Sequence, residues 1–167
     1  MNSKLLTYDR LREVLSYNPD TGLFTWLVKA SSHVKIGTTA GRITSNGYLI
    51  INIDRLPYVA HRLVWLYTHK VWPTNSLDHI NRIRDDNRLA NLREATQAEN
   101  AQNRKLNPMN TSGVKGVHWV ADRRRWKASI TLKGKLIHLG YTRLFEDAVK
   151  LREEAEVKYH PYRIELN

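Results

Sequence analysis

Four residues between positions 78 and 100 carry groups able to act together on a phosphate. Asp78 and His79 are adjacent, Asn91 follows His79 by 12 positions and Asn100 follows it by 21. A carboxylate and a carboxamide oxygen suit a hard cation such as Mg²⁺ or Mn²⁺, whose other positions are taken by water and phosphate. A neutral histidine nearby can take a proton from water. The set therefore predicts metal-assisted attack of water on a phosphate.

The residues around Asp78 and His79 predict two short strands joined by a polar loop. The apolar Leu77 before them indicates a strand, and residues 81–88 are too rich in arginine, aspartate and asparagine to form a core. Loose alternation over residues 89–93 indicates the second strand. Because adjacent side chains of a strand point to opposite faces, a strand end or a bulge is needed for the carboxylate and the imidazole to reach one phosphate.

A helix is expected directly after the second strand. Thr96 and Glu99 have the spacing of a capping box, which marks a helix N-terminus. Asn100 then falls in the second turn of this helix.

At these residues the chain resembles the HNH nucleases, which share a ββα-metal (His-Me finger) core, and most closely the phage and intron homing-endonuclease branch. The resemblance implies that His79 is the general base, that Asp78 and Asn100 hold one Mg²⁺ or Mn²⁺ per active site, and that Asn91 positions the strand of the base. Many members have a histidine in the helix, where this chain has Asn100 and Asn103. This difference favours an oxygen-liganded site, and without cysteines no zinc ribbon can form.

Each residue of this set also has an ordinary structural explanation. An Asp-His pair is common in loops and caps, Asn91 is compatible with a turn, and Asn100 with a solvated helix position. Asp85 and Asp86 form an alternative metal pair, although adjacent loop acids are usually only solvated. The ordered set with its spacing is more specific than any of its members.

Two further groups of residues surround the set. His61 and His69 lie on a predicted helix over residues 60–70, and the stretch His61 to Trp65 resembles one that precedes the active site in many phage nucleases. We interpret it as scaffold, and supporting roles are expected for His61, Asn87 and Asn103. The arginines of the loop either form internal ion pairs or clamp phosphates, and they are assigned to DNA binding: Arg82, Arg84, Arg88 and Arg93.

The net charge of +11 in 167 residues indicates a polyanionic partner, with nucleic acid first and an anionic membrane second. No apolar run reaches membrane-spanning length, and no signal-peptide or lipidation pattern is present. Zero cysteines fits a reducing compartment. We therefore expect no membrane partner and a cytoplasmic location, which is the host cytoplasm if a phage encodes the chain.

The N-terminal half predicts a β-rich scaffold ahead of this core. Its expected elements are a helix capped by Thr7, a turn at 18–22, and strands at 23–28 and 48–53. The helix that begins near Gln97 should end near Leu106, before the breaker-rich segment 107–113. The predicted organisation is a nuclease domain over 1–106 (core about 58–106), a linker over 107–113 and a second domain over 114–167.

The sequence of the second domain predicts three short strands, at 116–120, 126–132 and 135–140, followed by a helix at 144–158. Residues 115–135 hold seven Lys or Arg against one acid, whereas residues 143–167 hold five against six. The sheet is therefore expected to face an anion, with the helix packed behind it.

Residues 112–160 resemble the DNA-binding domain of plant ethylene-response factors (the apetala type), which is also found appended to phage HNH nucleases. The resemblance is carried by Lys115-Gly116-Val117, Arg125-Trp126-Lys127-Ala128 and His138-Leu139-Gly140. It implies DNA contacts from all three strands. Together with Lys133 in the hairpin turn, the residues assigned to DNA binding are Lys115, His118, Arg123, Arg124, Arg125, Ser129, Thr131, Lys135 and His138. The alternative interpretation of residues 123–125 is a solvated hairpin tip without a DNA contact. Trp126 is expected in the core.

The sequence thus predicts an α+β fold: a ββα-metal nuclease core with an N-terminal β-rich scaffold, plus a three-stranded antiparallel sheet packed on one helix. The predicted activity is divalent-metal-dependent hydrolysis of double-stranded DNA by a site-preferring nicking or homing endonuclease from a phage or mobile element. A monomer or weak dimer is expected. The alternatives are a DNA-binding regulator that does not cleave and, with less support, an RNA-binding protein.

Overall fold

The computed structural model describes residues 6–103 and 106–160. The chain divides into two compact units, Met1–Thr96 and Gln97–Asn167. This division falls before the predicted linker at 107–113, because the helix that carries Asn100 groups with the second unit. In the described part of the chain, no helix is long and apolar enough to cross a membrane.

Residues 6–96, the described part of the first unit, contain two α-helices and three small antiparallel sheets. The sheets are the hairpin β1–β2, the sheet β3–β4–β5 and the hairpin β6–β7. The elements are α1 (Tyr8–Val14), β1 (Leu15–Asn18), β2 (Leu23–Trp26), β3 (Arg42–Ile43), β4 (Leu49–Ile53), β5 (Leu56–Val59), α2 (Ala60–His69), β6 (Ser76–His79), a 3₁₀ turn (Leu89–Asn91) and β7 (Leu92–Ala95).

One apolar core joins the helices and sheets of this unit. Thr7 caps α1 as predicted, since its Oγ1 accepts a hydrogen bond from the Arg10 backbone at 3.2 Å. The rings of Tyr17, Phe24 and Tyr67 pack on one another with centroids 5.1–5.8 Å apart. Around them lie the fully buried aliphatic side chains Leu11, Leu15, Ile51, Leu63 and Val64.

The predicted second strand at 89–93 begins later than expected. Leu89–Asn91 forms a 3₁₀ turn, in which the Asn91 backbone N–H donates to the Arg88 carbonyl at 2.9 Å. Strand β7 therefore begins at Leu92, directly opposite His79, and Arg93 lies opposite Asp78. Periodicity alone did not separate a tight turn from the first residues of a strand.

The second unit contains α3 (Gln97–Gln102), β8 (Val117–Val120), a 3₁₀ turn (Ala121–Arg123), β9 (Arg125–Leu132), β10 (Lys135–Thr142) and α4 (Phe145–Tyr159). Helix α3 begins directly after Thr96, where the capping-box pattern places it. It ends at Gln102, earlier than the predicted end near Leu106, and residues 104–105 lie outside the described residues.

Strand β9 lies between β8 and β10 in an antiparallel sheet, and α4 packs on one face. The contact is built on Val117, Ala128 and Ala148, with the rings of Trp126 and Phe145 centred 4.7 Å apart. Trp126 is therefore a core residue, as predicted.

A buried arginine, Arg152, crosses this apolar interface. It pairs with Glu156 at 2.7 Å and donates to the Ser129 carbonyl at 2.8 Å. Gly116 leaves room for it, because a Cβ at that position would lie 2.3 Å from the Ser129 carbonyl oxygen and 3.2 Å from the guanidinium.

Candidate active site

His79 occupies the last position of β6 and is only 5% exposed. Its Nε2 lies 3.2 Å from Oδ1 of Asn87. The ring of His61 stands nearly perpendicular to it, with centroids 5.0 Å apart, and the ring of Tyr48 lies 6.0 Å away. The predicted base is thus enclosed by the loop after β6, by α2 and by Tyr48, which directly precedes β4.

Burial lowers the pKa of His79, whereas the bond to Asn87 and the nearby Asp78, Asp86 and Asp85 act in the opposite direction. Burial is the largest of these effects because a charged imidazole loses its hydration when it is enclosed. The neutral form therefore predominates at neutral pH, and this is the form that can accept a proton.

Asn91 ties together the two ends of the loop that follows His79. Its Oδ1 accepts from the Asn81 backbone N–H at 2.9 Å, and its Nδ2 donates to the Asp86 carbonyl at 2.7 Å. Its own carbonyl accepts from the Ile80 backbone N–H at 2.9 Å. This geometry suits the predicted positioning role, because it fixes the backbone next to the imidazole on both sides of the loop.

The arginines of the loop differ in what they contact. Arg88 pairs with Asp86 at 2.6 Å, and this pairing, with help from Asn81, lowers the pKa of Asp86 to about 2. Internal ion pairing therefore applies to Arg88. Both carboxylate oxygens of Asp86 accept hydrogen bonds, so the alternative metal pair of Asp85 and Asp86 finds little support.

Arg84 and Arg82 have other surroundings. The Arg84 guanidinium lies 5.0 Å from the centre of the Tyr48 ring and donates to the Asn46 carbonyl at 2.7 Å, which joins the loop to the turn between β3 and β4. Arg82 has a left-handed backbone (φ 63°), and its N–H donates to the His79 carbonyl at 2.9 Å.

Asp78 faces Arg93 across the β6–β7 hairpin. Two bonds from the guanidinium reach Asp78 Oδ2, at 3.0 and 3.3 Å, and the two side chains are 14% and 20% exposed. The fourth predicted arginine is therefore held by the predicted metal ligand. A partly buried carboxylate at a strand end suits a hard cation in its chemistry.

The predicted second ligand, Asn100, lies on α3 in the second unit. Its Oδ1 is buried and has no hydrogen-bond partner among residues 6–103 and 106–160. Since buried carboxamide oxygens are nearly always bonded, an orphaned one fits a cation ligand. Asn103, near the end of α3, is also buried, and its N–H donates to the Glu99 carbonyl at 3.4 Å. The pairing of Asn100 with Asp78 and the supporting role of Asn103 stay predictions.

No cluster of three His, Cys, Asp or Glu side chains suited to a metal occurs within the described ranges. His69 stacks on Trp65 with centroids 4.1 Å apart. In His61, burial first, then the charges of His79 and Arg62, lower the pKa to about 3, so its ring is neutral. These positions agree with the scaffold interpretation of α2.

Comparison with known proteins finds similarity in this part of the chain. Residues 58–102 match the family model described as HNH endonuclease. We call this matched stretch the HNH segment. This HNH segment, residues 58–102, spans β5 in part, α2, β6, β7 and α3, and it contains Asp78, His79, Asn91 and Asn100.

Two individual proteins are also similar. A 59-residue stretch is 41% identical to Protein 3.8 of Escherichia phage T7. It covers 35% of this chain and 49% of the phage protein, so the match spans about half the length of that relative. Among solved structures, one described as DNA binding and cleavage by the HNH homing endonuclease I-HmuI has a TM-score of 0.43 and 20% identity, over 75% of this chain and 71% of that chain.

Outside the HNH segment, pairing in the C-terminal sheet defines which side chains lie opposite α4. Val117 pairs with Ala128 on the helix side, so the next residue, His118, lies on the other face. His118 pairs with Lys127, which pairs with Tyr141. We call this the outer face; the strand residues that share it are His118, Val120, Arg125, Lys127, Ser129, Thr131, Leu136, His138 and Tyr141.

The predicted DNA-binding residues divide by exposure. Most are exposed: His118, Arg123, Arg124, Thr131, Lys133, Lys135 and His138, with Arg125 partly so. Ser129 is buried, and its hydroxyl donates to the Gly116 carbonyl at 3.3 Å. The Lys115 ammonium donates to the Ala101 and Gln102 carbonyls at the end of α3, at 3.2 and 3.4 Å. The positions of the Ser129 and Lys115 side chains are therefore explained by contacts within the protein, and no DNA contact is needed to explain them.

Sequence reasoning missed two outer-face residues. Lys127 lies between Trp126 and Ala128, which both face the helix. Because side chains alternate along a strand, this position indicates that Lys127 lies on the opposite face. Tyr141 lies beyond the predicted end of the third strand; its ring is 4.6 Å from that of His138 and 4.8 Å from the Arg123 guanidinium. The strand continues past Gly140 after a register shift between His138 and Gly140, which no local sequence pattern predicts.

Proposed function

We propose that this chain is a DNA endonuclease that hydrolyses phosphodiester bonds of double-stranded DNA with a divalent metal ion. The observation that carries the proposal is a buried, neutral His79 next to Asp78 at the end of β6, within residues that match the HNH endonuclease model. The proposed setting is a phage or other mobile element, with the host cytoplasm as the compartment. One active site per chain suits nicking by a monomer or weak dimer.

His79 acts as the general base in this proposal. Its neutral imidazole takes a proton from the attacking water, and the enclosure that keeps it neutral also limits its motion. Asn91 keeps the loop after the base in one conformation through its three hydrogen bonds. A base that is held in place loses less entropy when the reacting atoms come together.

Asp78 and Asn100 would hold the cation, one Mg²⁺ or Mn²⁺ per site. A bound cation supplies charge stabilisation at the phosphate and at the leaving 3′ oxygen. The part of Arg93 is to orient the Asp78 carboxylate, which it contacts through two bonds to a single oxygen. The orphaned oxygen of Asn100 supports its assignment.

DNA is proposed to dock on the outer face of the C-terminal sheet, in the manner of an ethylene-response-factor domain. Exposed basic and aromatic side chains support this role, since phosphates attract the former and a sheet can enter the major groove. The proposed contact residues are His118, Arg123, Arg124, Arg125, Lys127, Thr131, Lys133, His138 and Tyr141. Lys135, predicted from the sequence to contact DNA, pairs with Leu132 on the helix side of the sheet and is left out. Ser129 and Lys115 are left out because their side chains bond within the unit.

The test is nicking of supercoiled plasmid with Mg²⁺, with Mn²⁺ and with a chelator. We expect open-circular product only with metal, and its loss in His79→Ala while DNA retardation in a gel persists. His33→Ala, a change at an exposed histidine in another loop, is the matched control and should nick normally.

The second candidate, a DNA-binding regulator without cleavage, is favoured by the Asp78–Arg93 ion pair, because a paired carboxylate is a weaker cation ligand. Plasmid that stays supercoiled with every metal, although the protein binds it, would support this candidate over the endonuclease.

A further inference from the structure

The Asn87 side chain has only one orientation that satisfies both of its contacts. It is 1% exposed, its Nδ2 donates to the Asp85 carbonyl at 3.1 Å, and its Oδ1 lies 3.2 Å from His79 Nε2. Exchange of the amide N and O would set the side-chain oxygen against the Asp85 carbonyl oxygen, two groups that only accept. The oxygen of Asn87 therefore faces the imidazole.

A carboxamide oxygen cannot donate, so the hydrogen of this bond must sit on His79 Nε2. In a neutral imidazole the other nitrogen, Nδ1, then carries the lone pair. We propose that Asn87 is a positioning residue that fixes the Nε2–H tautomer and the ring orientation of His79, which makes Nδ1 the atom that takes the proton from water. The tautomer is inferred from the bonds alone; its catalytic consequence rests on the proposed function.

The backbone of Asn87 is itself held by the N-terminal hairpin. The Tyr17 hydroxyl donates to the Asn87 carbonyl at 3.0 Å and accepts from the Leu89 N–H at 3.1 Å. One phenol thus bonds on both sides of Arg88, in a half-buried position where such bonds compete little with water.

The turn of the same hairpin lies directly on this backbone. Gly22 has φ 74°, and a Cβ there would lie 2.5 Å from the Arg88 backbone nitrogen and 2.7 Å from the Asn87 carbonyl carbon. Only glycine permits that approach at this φ. Tyr17 and Gly22 both lie outside the HNH segment, so β1–β2 is proposed to be a functional part of the site that the matched segment alone does not contain.

The experiment is NMR on the full chain with ¹⁵N-labelled histidine, above the ordinary histidine pKa of about 6.5. We expect His79 to show the Nε2–H pattern, with a slowly exchanging ring proton; assignment uses the loss of this signal in His79→Gln. A His79 ring that carries its hydrogen on Nδ1 would overturn the proposal, whatever the nuclease activity.

Matched variants then test the role of the side-chain oxygen. Asn87→Asp keeps an oxygen toward Nε2, although it loses the bond to the Asp85 carbonyl, and it should keep the protected ring proton. Asn87→Leu should lose the protection and lower nicking by about 10–100-fold, the usual size for a group that orients a catalytic residue. Equal protection in both variants would overturn the role of Asn87.

Tyr17→Phe tests the hairpin even if Asn87→Leu does not fold. It should retain the Nε2–H tautomer and exchange its ring proton faster than the unaltered chain does; an unchanged exchange rate overturns the part given to Tyr17. The two proposals fail separately: a protein with the expected tautomer but no nicking under any metal loses the endonuclease assignment only.

Discussion

The rings of His61 and His79 meet edge to face, with centroids 5.0 Å apart and planes at 88°. Both lie in a buried part of the first unit, where a positive charge on either ring is strongly unfavourable. The pair is therefore stable only while His61 is neutral, and this has a measurable consequence for the pH dependence of folding.

We predict that His61 makes the free energy of unfolding fall in acid. Its pKa in the folded chain is about 3, below the ordinary 6.5, so the unfolded chain binds the extra proton. The contribution is fully present above pH 6.5 and is lost as the pH falls toward 3, at a limiting slope of about 1.4 kcal/mol per pH unit.

Urea unfolding at a series of pH values measures this slope. His61→Phe, which keeps a ring against His79, should flatten the curve between the two pKa values, whereas His33→Phe on the surface should not. Curves of equal slope for the unaltered chain and His61→Phe would refute the assignment.

A second prediction concerns the loop that Asn91 closes. Asn91→Ala leaves the Asn81 N–H and the Asp86 carbonyl without their partners, so we expect a loss of about 2–3 kcal/mol of stability and a strong fall in nicking. Denaturant midpoints give the first value and plasmid assays the second. Asn52→Ala, at an exposed position on β4, should change stability by less than about 0.5 kcal/mol.

Metal binding can be tested without reference to cleavage. Asp78→Ala and Asn100→Ala should each weaken Mn²⁺ binding at least tenfold, as followed by electron paramagnetic resonance of the free ion. The control is Asp85→Ala, because Asp85 is an exposed loop acid. If only the Asp85 variant loses the ion, the adjacent acids hold it and the proposed ligand pair is wrong.

The basic turn between β8 and β9 gives a fourth prediction. Arg124→Ala should weaken binding to duplex DNA about equally for all sequences and lower the salt slope by about one, as loss of a single phosphate contact does. Lys150→Ala removes an equal charge from α4 behind the sheet and should have little effect. Fluorescence anisotropy at several salt concentrations measures both; equal losses would indicate attraction by net charge alone.

Local patterns in the sequence predicted much of what positions the site. The Thr7 cap, the short strand that ends at His79 and a helix directly after Thr96 all follow from neighbouring residues. The strand predicted from residue 89 failed because hydrophobic alternation does not distinguish a 3₁₀ turn from an extended segment. Ser129 was assigned to DNA from its strand and proved buried, with its hydroxyl bonded to the Gly116 carbonyl, a partner distant in sequence.

Contacts between distant residues were not predictable in this way. Tyr17 and Asn87 are 70 positions apart, and neither has a local signature of the bond between them. The bond depends on the position of the hairpin, which the packing of Phe24 on Tyr67 helps to hold. The parts of the site that sequence reasoning missed are those determined by tertiary packing.

The cross-strand pair of Asp78 and Arg93 also protects the alignment of the β6–β7 hairpin. Side chains alternate along a strand, so a slip of one residue would turn the imidazole toward solvent and bury the acid. Such a slip would also separate these two opposite charges, which are both mostly shielded from water. The native alignment places Asp78 opposite Arg93. The ion pair therefore favours the register in which His79 is buried and can act as the base.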